Sequence, residues 1–120
     1  MATAVKRKLS GSTSGKQILV TGVNTGASVT VHTSVAGTTA GTFDEIWVYA
    51  QNNHTASADL TLEFGGTTSP NDLIVQTLPA KSGLYLCIPG LILQNSLVVK
   101  AFASVANVIS VSGFVNSMTD

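Results

Sequence analysis

Six acidic residues, six basic residues, two histidines and one cysteine are this chain's main candidates for acid–base or metal chemistry. Neither His32 nor His54 has another His, Cys or carboxylate at the close spacing of a short-range metal set. His32 ends a predicted strand and His54 sits in a turn, so surface or hydrogen-bonding roles are expected of both. Asp59 and Glu63 share one face of a strand. At about 3.4 Å per residue they lie about 13–14 Å apart, beyond the roughly 5–9.5 Å that separates paired glycosidase carboxylates. Both read as solvated face residues. Asp44 and Glu45 are sequence neighbours, and neighbours on a strand point to opposite faces, so they read as a strand start and not as an acid/base pair.

The remaining candidates are weaker. Gly65-Gly66 is not followed by a helix, so it lacks the N-terminal cradle of a phosphate site and reads as a turn. Asn53-His54-Thr55 matches the glycosylation sequon by chance, since no secretion signal accompanies it. The basic start of the chain is followed at Ser10 to Lys16 by polar residues where a signal peptide would be apolar, which predicts synthesis in a cytoplasm. Cys87 has no partner for an intrachain disulfide and reads as a buried, inert thiol. No catalytic, cofactor-binding or metal-binding residue is assigned, and a non-enzymatic, cofactor-free protein is expected.

The strands that must position these residues are unusual. Only 10% of the 120 residues are charged, against about 25% in ordinary soluble domains. Net charge is zero, so no polyanionic partner and no direct nucleic-acid contact are expected. No apolar run approaches the ~18 residues of a membrane span. Yet several strands are apolar at both parities: Ile46-Trp47-Val48-Tyr49-Ala50, Leu84-Tyr85-Leu86-Cys87-Ile88, and Leu97-Val98-Val99 continuing to Ala101-Phe102-Ala103. A sandwich strand normally shows one face to the core and one to water. The second apolar face predicts a partner. Trp47, Tyr49, Tyr85 and Phe102 are the candidate subunit-interface residues.

Residues 1–15 read as an extended, basic, Gly/Ser-rich arm, and 16–120 as one β-sandwich domain. Lys6, Arg7 and Lys8 are the arm's candidate contacts to an acidic partner surface. Strands are predicted over 17–21, 27–33, 45–52, 58–64, 73–78, 84–88, 91–93, 96–103 and 107–116. Pro89-Gly90 suits the centre of a type II turn, and the last two strands suggest a hairpin through Ser104-Val105-Ala106. No stretch has a sustained helical period. The fold class is therefore all-β: a single antiparallel, jelly-roll-like sandwich with an extended N-terminal arm. Strand count does not separate jelly roll from immunoglobulin-like sandwich, but the missing Cys…Trp…Cys spacing favours the first.

Taken together, the arm ending Lys6-Arg7-Lys8-Leu9-Ser10-Gly11-Ser12 and the Gly/Thr/Val-rich β domain resemble small structural proteins of tailed bacteriophages. The likeness lies in Asp44-Glu45-Ile46-Trp47-Val48-Tyr49-Ala50, Leu60-Thr61-Leu62-Glu63-Phe64-Gly65-Gly66 and Pro89-Gly90-Leu91-Ile92-Leu93-Gln94-Asn95, and it spans most of the chain. The resemblance implies a capsid decoration or cement protein. Such a protein is often a homotrimer, binds the major capsid protein on the outside of the virion, and is made in the host cytoplasm. A tail or head-fibre component is the alternative within that class. A carbohydrate-binding module, using exposed Trp47, Tyr49 or Tyr85, is the alternative outside it.

Overall fold

Among the described residues, nine strands and a single 3-10 turn organise the chain. The computed structural model describes residues 2–120. The strands are β1 (Thr3–Lys8), β2 (Ile18–Leu19), β3 (Val29–Thr33), β4 (Phe43–Asn52), β5 (Ala58–Phe64), β6 (Leu73–Leu78), β7 (Tyr85–Leu93), β8 (Val98–Ala103) and β9 (Ile109–Thr119). They form two antiparallel sheets. One has the order β1-β9-β4-β7, with β2 also on β9; the other has the order β3-β8-β5-β6. We refer to them as the first and second sheets.

The pairing is nested: β5 with β6, β4 with β7, β3 with β8, β2 with β9. The chain is thus one long hairpin, bent back at the 65–72 loop and rolled so that alternate pairs fall in opposite sheets. That is a jelly roll, the sandwich expected from the sequence. The core between the sheets is aliphatic. Ile46, Val48 and Ala50 of β4, Leu60 and Leu62 of β5, Val99 and Ala101 of β8, and Val111 and Val115 of β9 are all fully buried. Within each set the residues are two or four apart, the even spacing at which side chains share one strand face.

Three local expectations are corrected. First, Pro89-Gly90 is not a turn; β7 runs through it. Because β7 is an edge strand, Pro89 can omit a ladder donor there. Gly90 takes φ +78°, and the β4–β7 register shifts between Ile46 and Trp47 and again between Val48 and Tyr49. The apolar run around Pro89 is a bulged edge strand. Second, the last two strands are not a hairpin. β8 lies in the second sheet and β9 in the first, so Ser104 to Val108 crosses between layers. Third, the N-terminal segment is extended but not free. β1 pairs with β9 from Thr3↔Thr119 to Lys8↔Phe114. Leu9 then enters the core at 0% exposure, and the Gly11 amide donates to the Val31 carbonyl at 2.9 Å. Packing therefore continues across the expected boundary at residue 15. Met1 lies outside the described residues.

Gly113 shows why one strand contact is so close. A Cβ there would meet the Trp47 carbonyl oxygen, so only glycine lets β9 and β4 pair at this point.

Candidate functional site

Two groupings of polar and aromatic side chains stand out, one buried and one facing outward. The buried one joins His32 of β3, Asp44 of β4 and Ser117 of β9. Asp44 sits on the inward parity and is 3% exposed. Its Oδ1 accepts from Ser117 Oγ at 2.6 Å. Its Oδ2 accepts from the Val35 amide at 3.2 Å and contacts His32 Nε2 at 2.7 Å. The Ser10 amide donates to His32 Nδ1 at 3.0 Å. That bond makes Nδ1 an acceptor and puts the ring proton on Nε2, which donates to Asp44.

Serine, histidine and aspartate are all present, but the order is wrong for nucleophilic catalysis. A serine is activated when its hydroxyl donates to the imidazole. Here Ser117 donates to the carboxylate, and both ring nitrogens are already engaged. The cluster is a clasp that ties β3, β4, β9 and the N-terminal segment at one end of the sandwich. Sequence reading left His32 as a surface or hydrogen-bonding residue; it is buried and hydrogen-bonded, because Asp44 points inward to meet it. His54 lies in a turn as expected, its amide donating to Asn52 Oδ1 at 2.8 Å.

The outward grouping covers the outer face of the first sheet. Alternation along β4 buries Ile46 and Val48 and sends Glu45, Trp47 and Tyr49 outward. Trp47 is the cross-strand partner of Phe114 on β9, and Glu45 that of Asn116. The two rings stack with centroids 6.1 Å apart and planes 12° from parallel. Lys6 of β1 places its ammonium 4.3 Å from the Phe114 centroid, a cation–π contact. The Trp47 indole N–H donates to Glu45 Oε1 at 2.7 Å, and Asn116 Nδ2 donates to the same oxygen at 3.0 Å. Those two donors, Asn116 first, hold the Glu45 carboxyl below its ordinary range. On the other side, Trp47 leans over Gly90 so closely that a Cβ would come within 2.8 Å of the ring. On β7, Leu86 and Ile92, 45% and 57% exposed, pair with outward Tyr49 and Glu45.

The four candidate interface residues do not form one patch. Trp47 and Tyr49 share the outer face of the first sheet. Tyr85 packs against the core from its end. Phe102 lies between buried Ala101 and Ala103 and so faces outward from the second sheet. The basic triplet is dispersed too. Lys6 caps Phe114, Lys8 Nζ donates to the Ser12 carbonyl at 2.8 Å, and Arg7 lines a recess beside His32. Phe114 and Asn116 were not singled out from sequence, and Glu45 was read only as part of a strand start. Phe114 was legible through parity, since it sits one residue from buried Val115. Asp59 and Glu63, expected on a solvated face, differ: Asp59 is exposed and accepts from Thr77 Oγ1 at 2.8 Å, whereas Glu63 is 1% exposed. Cys87 is buried, as expected, and burial pushes its thiol pKa up to about 11.

Compared with protein-family models, with curated proteins and with solved structures, the chain gives no match.

Proposed function

We propose that this protein is a non-enzymatic structural subunit of a bacteriophage virion. In this reading it is a homotrimer that decorates the outside of the capsid and cements neighbouring copies of the major capsid protein. The observation that carries the reading is the outward apolar face: Trp47 and Phe114 in a preformed stack, with exposed Leu86 and Ile92, the cross-strand partners of outward Tyr49 and Glu45, at the β7 edge. Contiguous apolar surface of this kind marks interaction sites, and rigid aromatic anchors dominate the energetics of interfaces. The His32–Asp44–Ser117 clasp supports a structural role, because it spends its groups on each other.

The mechanism is mechanical. Packed DNA presses outward on the shell, and each bound subunit adds buried area that must be lost before the shell opens. At ~25 cal/mol per Å², several hundred Å² of apolar contact per copy contributes several kcal/mol gross, before association costs. Repetition over the shell multiplies the effect. A tail or head-fibre role uses the same face with few copies. The half-exposed Trp47 and Tyr49 also suit a sugar-stacking platform; against that, the Trp47 indole N–H is already committed to Glu45.

Counting the chain in purified particles tests the reading. On the order of hundreds of copies per head is the expected result; copy numbers of a handful place it in the tail, and absence from particles overturns the proposal. Leu86→Glu with Ile92→Glu is expected to leave the monomer folded, since both side chains are exposed, and to abolish attachment to shells. Saturable glycan binding by a monomer would favour the sugar-binding reading instead.

A further inference from the structure

Glu63 is the one described residue whose buried side-chain oxygens have no hydrogen-bond partner. It is 1% exposed, and no described group donates to either Oε1 or Oε2. On β5 it follows buried Leu62, so the strand's alternation sends it to the outer side of the second sheet. It is covered there all the same. It lines a recess of about 260 Å³ whose walls include Gly65, Gly66, Thr67, Leu97 and Lys100. The 65–72 loop is held in place by its own bonds, Phe64 amide to Asp72 carbonyl at 2.7 Å and Gly65 amide to Val98 carbonyl at 3.0 Å. Lys100 is Glu63's cross-strand partner on β8. It is nevertheless exposed, and the only ion-pair contact among the described residues is His32–Asp44.

Withdrawing a carboxylate from water without a donor is costly. A donor-free carboxyl group beside a recess is a place for a cation from outside to complete. We propose that this recess is a binding site for a guanidinium or primary ammonium group at the end of an alkyl chain. Two adjacent donor-free oxygens match the parallel N–H groups of a guanidinium. Leu97 and the two glycines offer an apolar wall for the aliphatic stem. A metal ion fits less well, since no group of three or more His, Cys, Asp or Glu gathers among the described residues. The cation's source is either a free small amine or an arginine or lysine side chain of another protein. The site lies on the opposite sheet from the aromatic face and does not depend on the function proposed for that face.

The test is a titration of the intact protein, followed by amide resonances, with n-butylguanidinium and separately with a capped Gly-Arg-Gly peptide. Saturable shifts at Gly65, Gly66 and Thr67 are expected in the wild type, with affinity at least about tenfold weaker in Glu63→Gln, which keeps the shape but removes the charge. Lys100→Gln should bind as tightly or more tightly, because a like charge is gone. Response to both probes assigns the site to protein side chains as well as free amines; response to n-butylguanidinium alone assigns it to small cations. Should Glu63→Gln fail to fold, Leu97→Trp, which narrows the recess and leaves Glu63 intact, is expected to weaken binding instead. Absence of saturable shifts with either probe, or equal binding by Glu63→Gln, overturns the proposal. So does binding that appears only in Lys100→Gln, which would make Lys100 itself the occupant.

Discussion

Asp44 and Glu45 are adjacent carboxylates sent to different environments by one peptide step. Asp44 turns inward and is held by Ser117, His32 and the Val35 amide. Glu45 turns outward and accepts from Asn116 and Trp47. Hydrogen bonds to the ionised form lower a carboxyl pKa. Asn116→Ala should therefore raise the Glu45 pKa toward its ordinary value, and by more than Trp47→Phe does, as carboxyl chemical shifts against pH would show. The sign of the stability effect follows: the folded-state pKa lies below the unfolded one, so the contribution is present above the ordinary carboxylate range and lost as pH falls through the folded value. Cys87 behaves oppositely. Its folded pKa of about 11 favours the neutral thiol, a contribution present below the unfolded pKa and lost as pH rises toward 11. Near pH 8 native Cys87 should alkylate about one hundredfold more slowly than the urea-unfolded chain, since two pKa units remove about that much thiolate. Trp47→Ala bears on the outer face. The ring is half-buried, so the cost should be about 1–3 kcal/mol in a denaturant melt, below the ~3–5 kcal/mol of a fully buried tryptophan.

At the scale of elements, the N-terminal segment changes most between composition and packing. Its Ser, Gly and Lys residues read as a flexible arm, and every described residue of β1 is indeed exposed. What docks it is the unpaired edge of β9 and a single apolar side chain, Leu9. Backbone pairing leaves no compositional trace, and lysines on an outermost strand are what edge protection calls for. Leu9→Ala should cost about 2–5 kcal/mol, as for other fully buried leucines. Replacing Lys6, Arg7 and Lys8 together by Gln should cost about 1 kcal/mol or less, from surface changes and the lost cation–π contact. Urea melts of the two variants separate a docked strand from a charged tether. Deleting residues 2–9 would also strip β9 of its neighbour over Phe114 to Thr119 and leave an edge open to pairing with other chains. β5 was legible by face from Ala58 to Leu62, where burial repeats with the pleat, whereas β4, apolar at both parities from Ile46 to Ala50, was legible as a strand but not by face. The bulge at Gly90 was not, because Pro-Gly suits a turn and an edge bulge equally well. Glu63 was misread because the turn that follows its strand, Gly65 to Thr67, closes over it together with Leu97 and Val98 from a segment far along the chain.

For the whole molecule, the jelly roll was legible as a strand count and a spacing, while its topology was not. Nested pairing joins β2 to β9 and β3 to β8 across most of the chain, and local sequence says nothing about such partners. The apolar second parity of β4 and β7 is different in kind, because it remained unexplained by the chain's own core. Trp47 and Tyr49 stay half-buried and Leu86 and Ile92 exposed after folding, so the fold leaves apolar side chains on an outward face. The cement reading, the trimer and the attachment to a shell all depend on that face being occupied in the assembled state. Sedimentation velocity of the recombinant protein at micromolar concentration tests this most directly. The account predicts a single species of about 37 kDa, three times the 12.3 kDa chain, that falls to monomer when Leu86 and Ile92 are both replaced by Glu. A stable 12.3 kDa monomer in the wild type at that concentration would contradict it.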